Sequence, residues 1–237
     1  LFFEGEQYIE TLEISLGERF IVSLIKTPYG EQRVLINPHR NLMCITNAGH
    51  IKGISNRDIP KSVAYILKEH KVDGMLMVSK VGGINPLLRV GDIVLMDDYI
   101  DMTTIYDKSY YAFINPNIPR YDMQQPFCTR WGQGIFSLLK GSNISGKRNI
   151  FERGTYICTD GPGFESSAEI QAYRLAGADV VGHYLSPYVY YTRELKISFA
   201  AVSIVSNSYS NPDEILLDND EIKTLINNII DYALSSF

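Results

Sequence analysis

Short runs of β-branched and aliphatic residues alternate along this chain with stretches whose apolar positions recur every three or four residues. Phe20–Ile25, Val34–Ile36 and Met43–Thr46 read as three strands in succession. Asp58, Ile59 and Pro60 then form a helix start, with Asp as cap and Pro in the first turn. Val63, Ile66, Leu67 and His70 continue it at helical spacing. Gly74–Ser79 is an apolar run suited to a strand buried on both faces, and Asp92–Asp97 is a further strand. Tyr99–Arg120, rich in Tyr, Asn and Pro and without a steady period, reads as a long loop of the kind that forms lids or interfaces. Helices are predicted over Phe127–Lys140, Ser166–Leu175 and Pro187–Leu195, and strands over Thr155–Thr159, Val180–Gly182 and Ser198–Ser206. In the tail, Ile222, Leu225, Ile226, Ile229, Ile230, Ala233 and Leu234 make one apolar stripe at 3.6 spacing.

Strands alternating with helices imply an α/β fold, with a central mixed, partly parallel sheet flanked by helices. With 237 residues and no repeat, linker or low-complexity segment, residues 1–237 are expected to form a single domain. A net charge of −5, with no basic block, argues against a nucleic-acid surface, since such affinity comes mainly from neutralised phosphates. It leaves room for a single nucleoside in a pocket. Cys44, Cys128 and Cys158 lie far apart without a CxxC pair, which fits buried free thiols in a reducing cytoplasm better than zinc or disulfides. No apolar run reaches the roughly 20 residues of a membrane helix, and no signal peptide is visible.

In open α/β sheets, ligands gather beyond the carboxyl ends of strands, and four such ends carry unusual chemistry. Val78–Gly83 ends in paired glycines, which either form a backbone nest for an anion or make a tight turn. Thr159–Glu165 holds a rigid Gly-Pro-Gly turn followed by an aromatic and a carboxylate. Phe164 could stack on a base there and Glu165 could accept N–H bonds from a purine edge, or Glu165 is simply a solvated acid at a helix start. Gly182–Pro187 follows a buried strand with His183 and Tyr184, either ligand contacts or a satisfied core pair. In Val205–Ser210, Asn207 offers both a donor and an acceptor, unless it only forms a turn.

Taken in order, these segments resemble the trimeric purine nucleoside and methylthioadenosine phosphorylases, from about Thr27 to the C-terminal helix. The resemblance rests on Thr27-Pro28-Tyr29-Gly30, Gly82-Gly83-Ile84-Asn85-Pro86, Val90-Gly91-Asp92-Ile93, Asp101-Met102-Thr103-Thr104 and Gln125-Pro126-Phe127-Cys128. Its strongest block runs from Gly154-Thr155-Tyr156 through Gly161-Pro162-Gly163-Phe164-Glu165 and Ala168-Glu169 to Gly177-Ala178-Asp179-Val180-Val181-Gly182, and Ser206-Asn207 closes it.

The resemblance implies a purine nucleoside pocket in a cytoplasmic homotrimer of the purine salvage type, with phosphate as co-substrate and no metal or organic cofactor. It implies that Phe164 packs on base or sugar, that Glu165 holds the N1/N2 edge, and that Asn207 bonds N7 and the 6-substituent, which favours 6-oxopurines. Val81, Val181 and Tyr184 would complete the substrate pocket, and His183 would act beside Asn207 in catalysis. The Tyr99–Arg120 loop would reach a neighbouring subunit, with Tyr110, Tyr111 and Phe113 as exposed anchors. The anion site departs from the family pattern. Asn47-Ala48-Gly49-His50 stands where the family has an Arg-His-Gly-type segment, Lys80 replaces a small residue, and His183-Tyr184 replaces a Met-Ser or Met-Thr pair. Lys80, Ser79, His50 and His183 are therefore the candidates for a rebuilt phosphate site. The competing readings are a hydrolytic nucleosidase, a transferase with another acceptor, and a non-catalytic nucleoside-binding relative.

Overall fold

The computed structural model describes residues 2–3, 19–45, 57–111, 121–141, 148–209 and 224–230. Eleven strands are seen among them: β1 (Phe2–Phe3), β2 (Ile21–Thr27), β3 (Gly30–Asn37), β4 (Leu42–Cys44), β5 (Gly74–Gly83), β6 (Ile93–Leu95), β7 (Asp98–Asp101), β8 (Ile150–Phe151), β9 (Thr155–Cys158), β10 (Val180–Gly182) and β11 (Ser198–Ser208). The helices are α1 (Ile59–Glu69), α2 (Thr129–Lys140), α3 (Ser167–Leu175) and α4 (Tyr188–Glu194), with residues 224–230 also helical.

Strands β2, β3 and β4 form a small antiparallel sheet. The main sheet runs β7-β9-β10-β5-β11-β6-β8, with β1 added alongside β5. Its directions come in blocks. Strands β7, β9 and β10 are mutually parallel, β5 and β11 are parallel to each other, and the two blocks meet antiparallel where Val181 pairs with Gly82. On the far side, β6 and β8 form a parallel pair whose β6 is antiparallel to β11. The expected mixed, partly parallel α/β sheet is what the chain forms.

Successive strand side chains point to opposite faces, and the long central pair β5·β11 therefore feeds two cores. Met75, Met77, Val81, Phe199, Ala201 and Val205 join one cluster, while Leu76, Val78, Ala200, Val202 and Ile204 join the other. Tyr188 and Val189 of α4 belong to the first core; Ile135 and Leu139 of α2 and Leu225, Ile226, Ile229 and Ile230 of the tail belong to the second. The two helix-bearing faces follow directly from the continuous apolar run in β5.

Four expectations change. Asp58 occupies the N-cap of α1 and its carbonyl accepts the Ser62 N–H, but its carboxyl makes no cap bond. The segment from Tyr99 opens as a strand, since β7 pairs with β9 through Asp101↔Cys158. Tyr110 is buried, not an exposed anchor: its ring meets Tyr111 and Tyr191 edge-on, and its N–H donates to Glu194. Phe113 lies outside the described residues. The paired glycines are not a loop nest, because Gly82 and Gly83 are both inside β5 and paired on both sides.

Cys44 and Cys158 are buried free thiols, and burial pushes their pKa values up to about 11 and about 12. Among the described residues, no helix is long and apolar enough to cross a membrane.

Candidate active site

The antiparallel seam between β10 and β5 is where the candidate residues collect, and one irregularity of β11 decides which of them meet. Up to Val205, β11 pairs residue for residue with β5, so that Val205 lies opposite Val81. A bulge at Ser206 then shifts the register, and Asn207 pairs with Gly82 instead of Gly83. An extra residue in a strand re-aims the side chains that follow it. Without the bulge, Asn207 would share the face of Val81. With it, Asn207 shares the face of Gly82 and Val181, and its Nδ2 lies 3.3 Å from where a Cβ on Gly82 would stand. The Ser206 hydroxyl lies 3.2 Å from both the Val81 carbonyl and Asn207 Oδ1. That leaves Nδ2 as the donor end of the amide.

The β9–α3 connection delivers the carboxylate. Ser166 is the N-cap of α3, and a capping box with Glu169 satisfies the helix start. Glu165 is therefore not needed as a helix-start acid, and it turns inward, half-buried. Its Oε1 accepts from the Thr159 hydroxyl at 2.8 Å and its Oε2 from the Tyr209 hydroxyl at 2.9 Å. The Thr159 oxygen also lies 2.9 Å from His183 Nδ1. Gly161 makes this possible. Its φ is +61°, a value that favours glycine, and a Cβ there would come within 3.0 Å of the His183 ring. Asp160 ties the turn to the segment after β7 by accepting from the Thr104 hydroxyl at 2.6 Å and its N–H at 2.9 Å.

Tyr209 joins the two halves. Its phenol donates to Glu165 and also interacts with the Asn207 side chain, while its ring packs beside Gly82 on the apolar cluster that includes Ile84, Ile157 and Val181. Burial first, and then the bond to Glu165, raise its pKa well above the ordinary phenol range. It is a donor at any physiological pH. Asn207, Tyr209, Glu165, Thr159 and His183 thus form one connected polar cluster on one face of the sheet. The sequence alone gives neither Thr159 nor Tyr209 a role. Both stand two positions from residues already noted on the same face, Ile157 in β9 and Asn207 after the bulge.

The remaining candidates separate. Lys80 is half-buried and shares the Gly82 face two residues earlier in β5. Ser79 and Val81 point to the other face, Val81 into the Tyr156 core and Ser79 toward the Tyr156 hydroxyl. Period-2 alternation makes it impossible for the Ser79 and Lys80 side chains to serve one site from within β5. Tyr184 packs against that opposite core, and its ring meets the His183 ring edge-on. The Phe164 ring is 85% exposed and does not join the cluster. His50 lies outside the described residues. Among the described residues, a cleft of about 820 Å³ opens at the amino end of β9, lined by Asp97, Asp98, Gln125, Thr129, Gln133 and Glu152 among others. None of the candidates borders it. No group of His, Cys, Asp and Glu among the described residues could hold a metal ion.

Gly82 makes the closest approach in the cluster, since a Cβ there would stand 2.6 Å from the Tyr209 ring and 3.2 Å from Val181. Gly82→Ala must displace that ring, and with it the bond to Glu165. A loss of roughly 10- to 100-fold in kcat/KM is expected from such a sub-ångström misplacement. Circular dichroism should show the fold retained, and unchanged kinetics would mean that Tyr209 does not organise the site.

The phosphorylase superfamily model matches residues 16–233 of the chain. The 6-oxopurine nucleoside phosphorylase of Pyrococcus furiosus is 32% identical over 213 residues, covering 85% of this chain and 78% of that protein. A probable S-methyl-5′-thioinosine phosphorylase of Methanocaldococcus jannaschii is 28% identical over 211 residues, covering 89% and 80%. Among solved structures, a methylthioadenosine phosphorylase from an Antarctic soil metagenomic library superposes with a TM-score of 0.83 at 22% identity, covering 99% of this chain and 84% of that one. With the fold shared and nearly the whole length matched, the chain belongs to the phosphorylase superfamily.

Proposed function

We propose that the protein cleaves the N-glycosidic bond of a purine nucleoside by phosphorolysis, releasing the free base and ribose 1-phosphate, with 6-oxopurines favoured. The observation that carries this reading is the meeting of the Asn207 amide and the Glu165 carboxylate on one face through Tyr209. A carboxylate only accepts hydrogen bonds. A 6-oxopurine presents a donor at N1, whereas adenine presents a lone pair there, so Glu165 attracts the first and repels the second. The names of the relatives, a 6-oxopurine nucleoside phosphorylase and a thioinosine phosphorylase, support the same preference.

As the C1′–N9 bond lengthens, negative charge builds on the purine and positive charge on the sugar. A donor aimed at N7 is worth more in that transition state than in the ground state, which is the condition for acceleration. Asn207 Nδ2 supplies the donor. Lys80, on the same face, supplies the cation for an acceptor phosphate, with His50 as its partner from the segment after β4. Lysine provides charge without the bidentate geometry of arginine, so a higher KM for phosphate is part of the reading. The whole chain acts as one domain, and a homotrimer is its working assembly.

Turnover of inosine, guanosine, adenosine and methylthioadenosine, each with and without phosphate, tests the proposal. Inosine and guanosine should release base only with phosphate present, and the sugar should appear as ribose 1-phosphate. Free ribose formed at the same rate without phosphate would make the enzyme a hydrolase. Faster turnover of the adenine nucleosides would overturn the assignment of Glu165.

A further inference from the structure

Thr159 holds one proton between two partners, and this fixes more than its own orientation. Glu165 takes hydrogen bonds on both carboxylate oxygens, from Thr159 at 2.8 Å and from Tyr209 at 2.9 Å. An ionised carboxylate has no proton to give, so the Thr159 proton points at Glu165. The Thr159 oxygen can then only accept from its other neighbour, His183 Nδ1, at 2.9 Å. A neutral imidazole carries a single N–H. With that N–H on Nδ1, the lone pair is on Nε2.

We propose that Thr159 is a positioning residue that locks His183 in its Nδ1–H form, and that His183 Nε2 is the acceptor for a sugar hydroxyl of the nucleoside. The inference rests on the reading of Glu165 and Asn207 as the groups that hold the base. With the base edges taken by those two, the hydrogen-bond donors a nucleoside still offers are its sugar hydroxyls. The ring is placed to serve them. It is held on one side by Thr159, and Gly161 leaves room for it where a Cβ would crowd the ring at 3.0 Å. The Tyr184 ring meets it edge-on, with centroids 6.4 Å apart. Among the described residues, Nε2 has no hydrogen-bond partner of its own. The second partner on the histidine sets which nitrogen faces the substrate, as in other sites where imidazole roles are assigned by the bond the other nitrogen makes.

The test reads the imidazole directly. In protein with ¹⁵N-labelled histidine, the chain's four histidines give a resolvable set, and His183→Gln identifies the signal of interest. The native protein should show Nδ1 protonated and Nε2 unprotonated. Thr159→Val, which removes the hydroxyl at nearly constant volume, should move the equilibrium toward the Nε2–H form, and Thr159→Ser should restore the native pattern. Without phosphate, inosine should shift the Nε2 resonance while hypoxanthine alone should not. In the kinetic arm, inosine should be preferred by about tenfold over at least one of 2′-deoxyinosine and 5′-deoxyinosine, as expected for one hydrogen bond. That preference should collapse in Thr159→Val. A native Nε2–H form, or a Thr159→Val spectrum identical to the native one, overturns the lock. Inosine binding with no response at Nε2 overturns the sugar contact alone. Failure of both inosine and hypoxanthine to bind removes the base-holding reading on which the sugar contact depends, while the tautomer result still decides the role of Thr159.

Discussion

Asn207→Ala should lower kcat/KM for inosine by about 10²- to 10³-fold at saturating phosphate, the range seen when one donor to a developing anion is deleted. The structural reason is specific. Ser206 occupies Asn207 Oδ1 at 3.2 Å, so the amide has a defined donor end, and that end lies on the Gly82 face with Glu165 and Tyr209. A group that bonds the base only weakly in the bound nucleoside, and strongly once the base carries charge, lowers the barrier without tightening the ground state. Loss should therefore appear in kcat more than in KM. Asn207→Asp keeps the size but replaces the donor by a second carboxylate near Glu165, and it should be the poorer of the two variants on inosine. A loss below about fivefold for Asn207→Ala, in protein with an unchanged thermal midpoint, would remove Asn207 from the mechanism.

Asp101→Asn is expected to have the largest effect on stability, about 2–3 kcal/mol, the order for losing hydrogen bonds to a charged acceptor. The Asp101 side chain is only 4% exposed. It accepts from the Thr103 N–H at 2.8 Å, the Thr103 hydroxyl at 2.6 Å and the Ser186 hydroxyl at 3.0 Å, and it pairs with Lys108 at 3.1 Å. An asparagine in its place turns an amide N–H₂ toward these donors. Ser186 belongs to the segment that carries His183, so the same change loosens the site. Burial by itself would raise the Asp101 pKa. Hydrogen bonds from the Thr103 hydroxyl and N–H, together with Lys108 and Tyr190, outweigh it and hold the carboxyl below the usual range.

The sign of the pH effect follows. A depressed native pKa means that the unfolded chain binds the proton more readily, so the carboxylate stabilises the fold above its unfolded pKa of about 3.9. That contribution is lost as pH falls through the native value. Urea midpoints at pH 7 and pH 3.5 check this: the wild type should lose stability between them, and the difference between wild type and Asp101→Asn should shrink. A difference that is the same at both pH values would show that the carboxylate charge is not what Asp101 contributes.

Most of the elements were legible because their signals are local. The continuous apolar run of β5 forces burial on both faces whatever else the chain does, and the stripe at Leu225, Ile226, Ile229 and Ile230 reaches the core as its spacing implies. The Gly-Pro-Gly turn before Glu165 also keeps its local meaning, because the positive φ of Gly161 is a property of that turn. Errors arose where a partner strand or ring mattered. Gly82 and Gly83 resemble a loop until β10 and β11 are seen to pair with them. Tyr110 reads as exposed until Tyr191 is placed beside it.

By itself, then, the amino-acid order determined the α/β class, the two-faced burial of the central strands, the turn that carries Glu165, and the residue types able to grip a purine. Only the tertiary structure decided which of those residues share a face. A side-chain period of two means that a shift of one residue reverses every orientation beyond it, and the bulge at Ser206 is such a shift. It puts Asn207 on the face of Tyr209 and Glu165, while Ser79 and Val81 remain on the far side of the sheet. Register arises between strands distant in sequence, so no local pattern around Asn207 could have announced it.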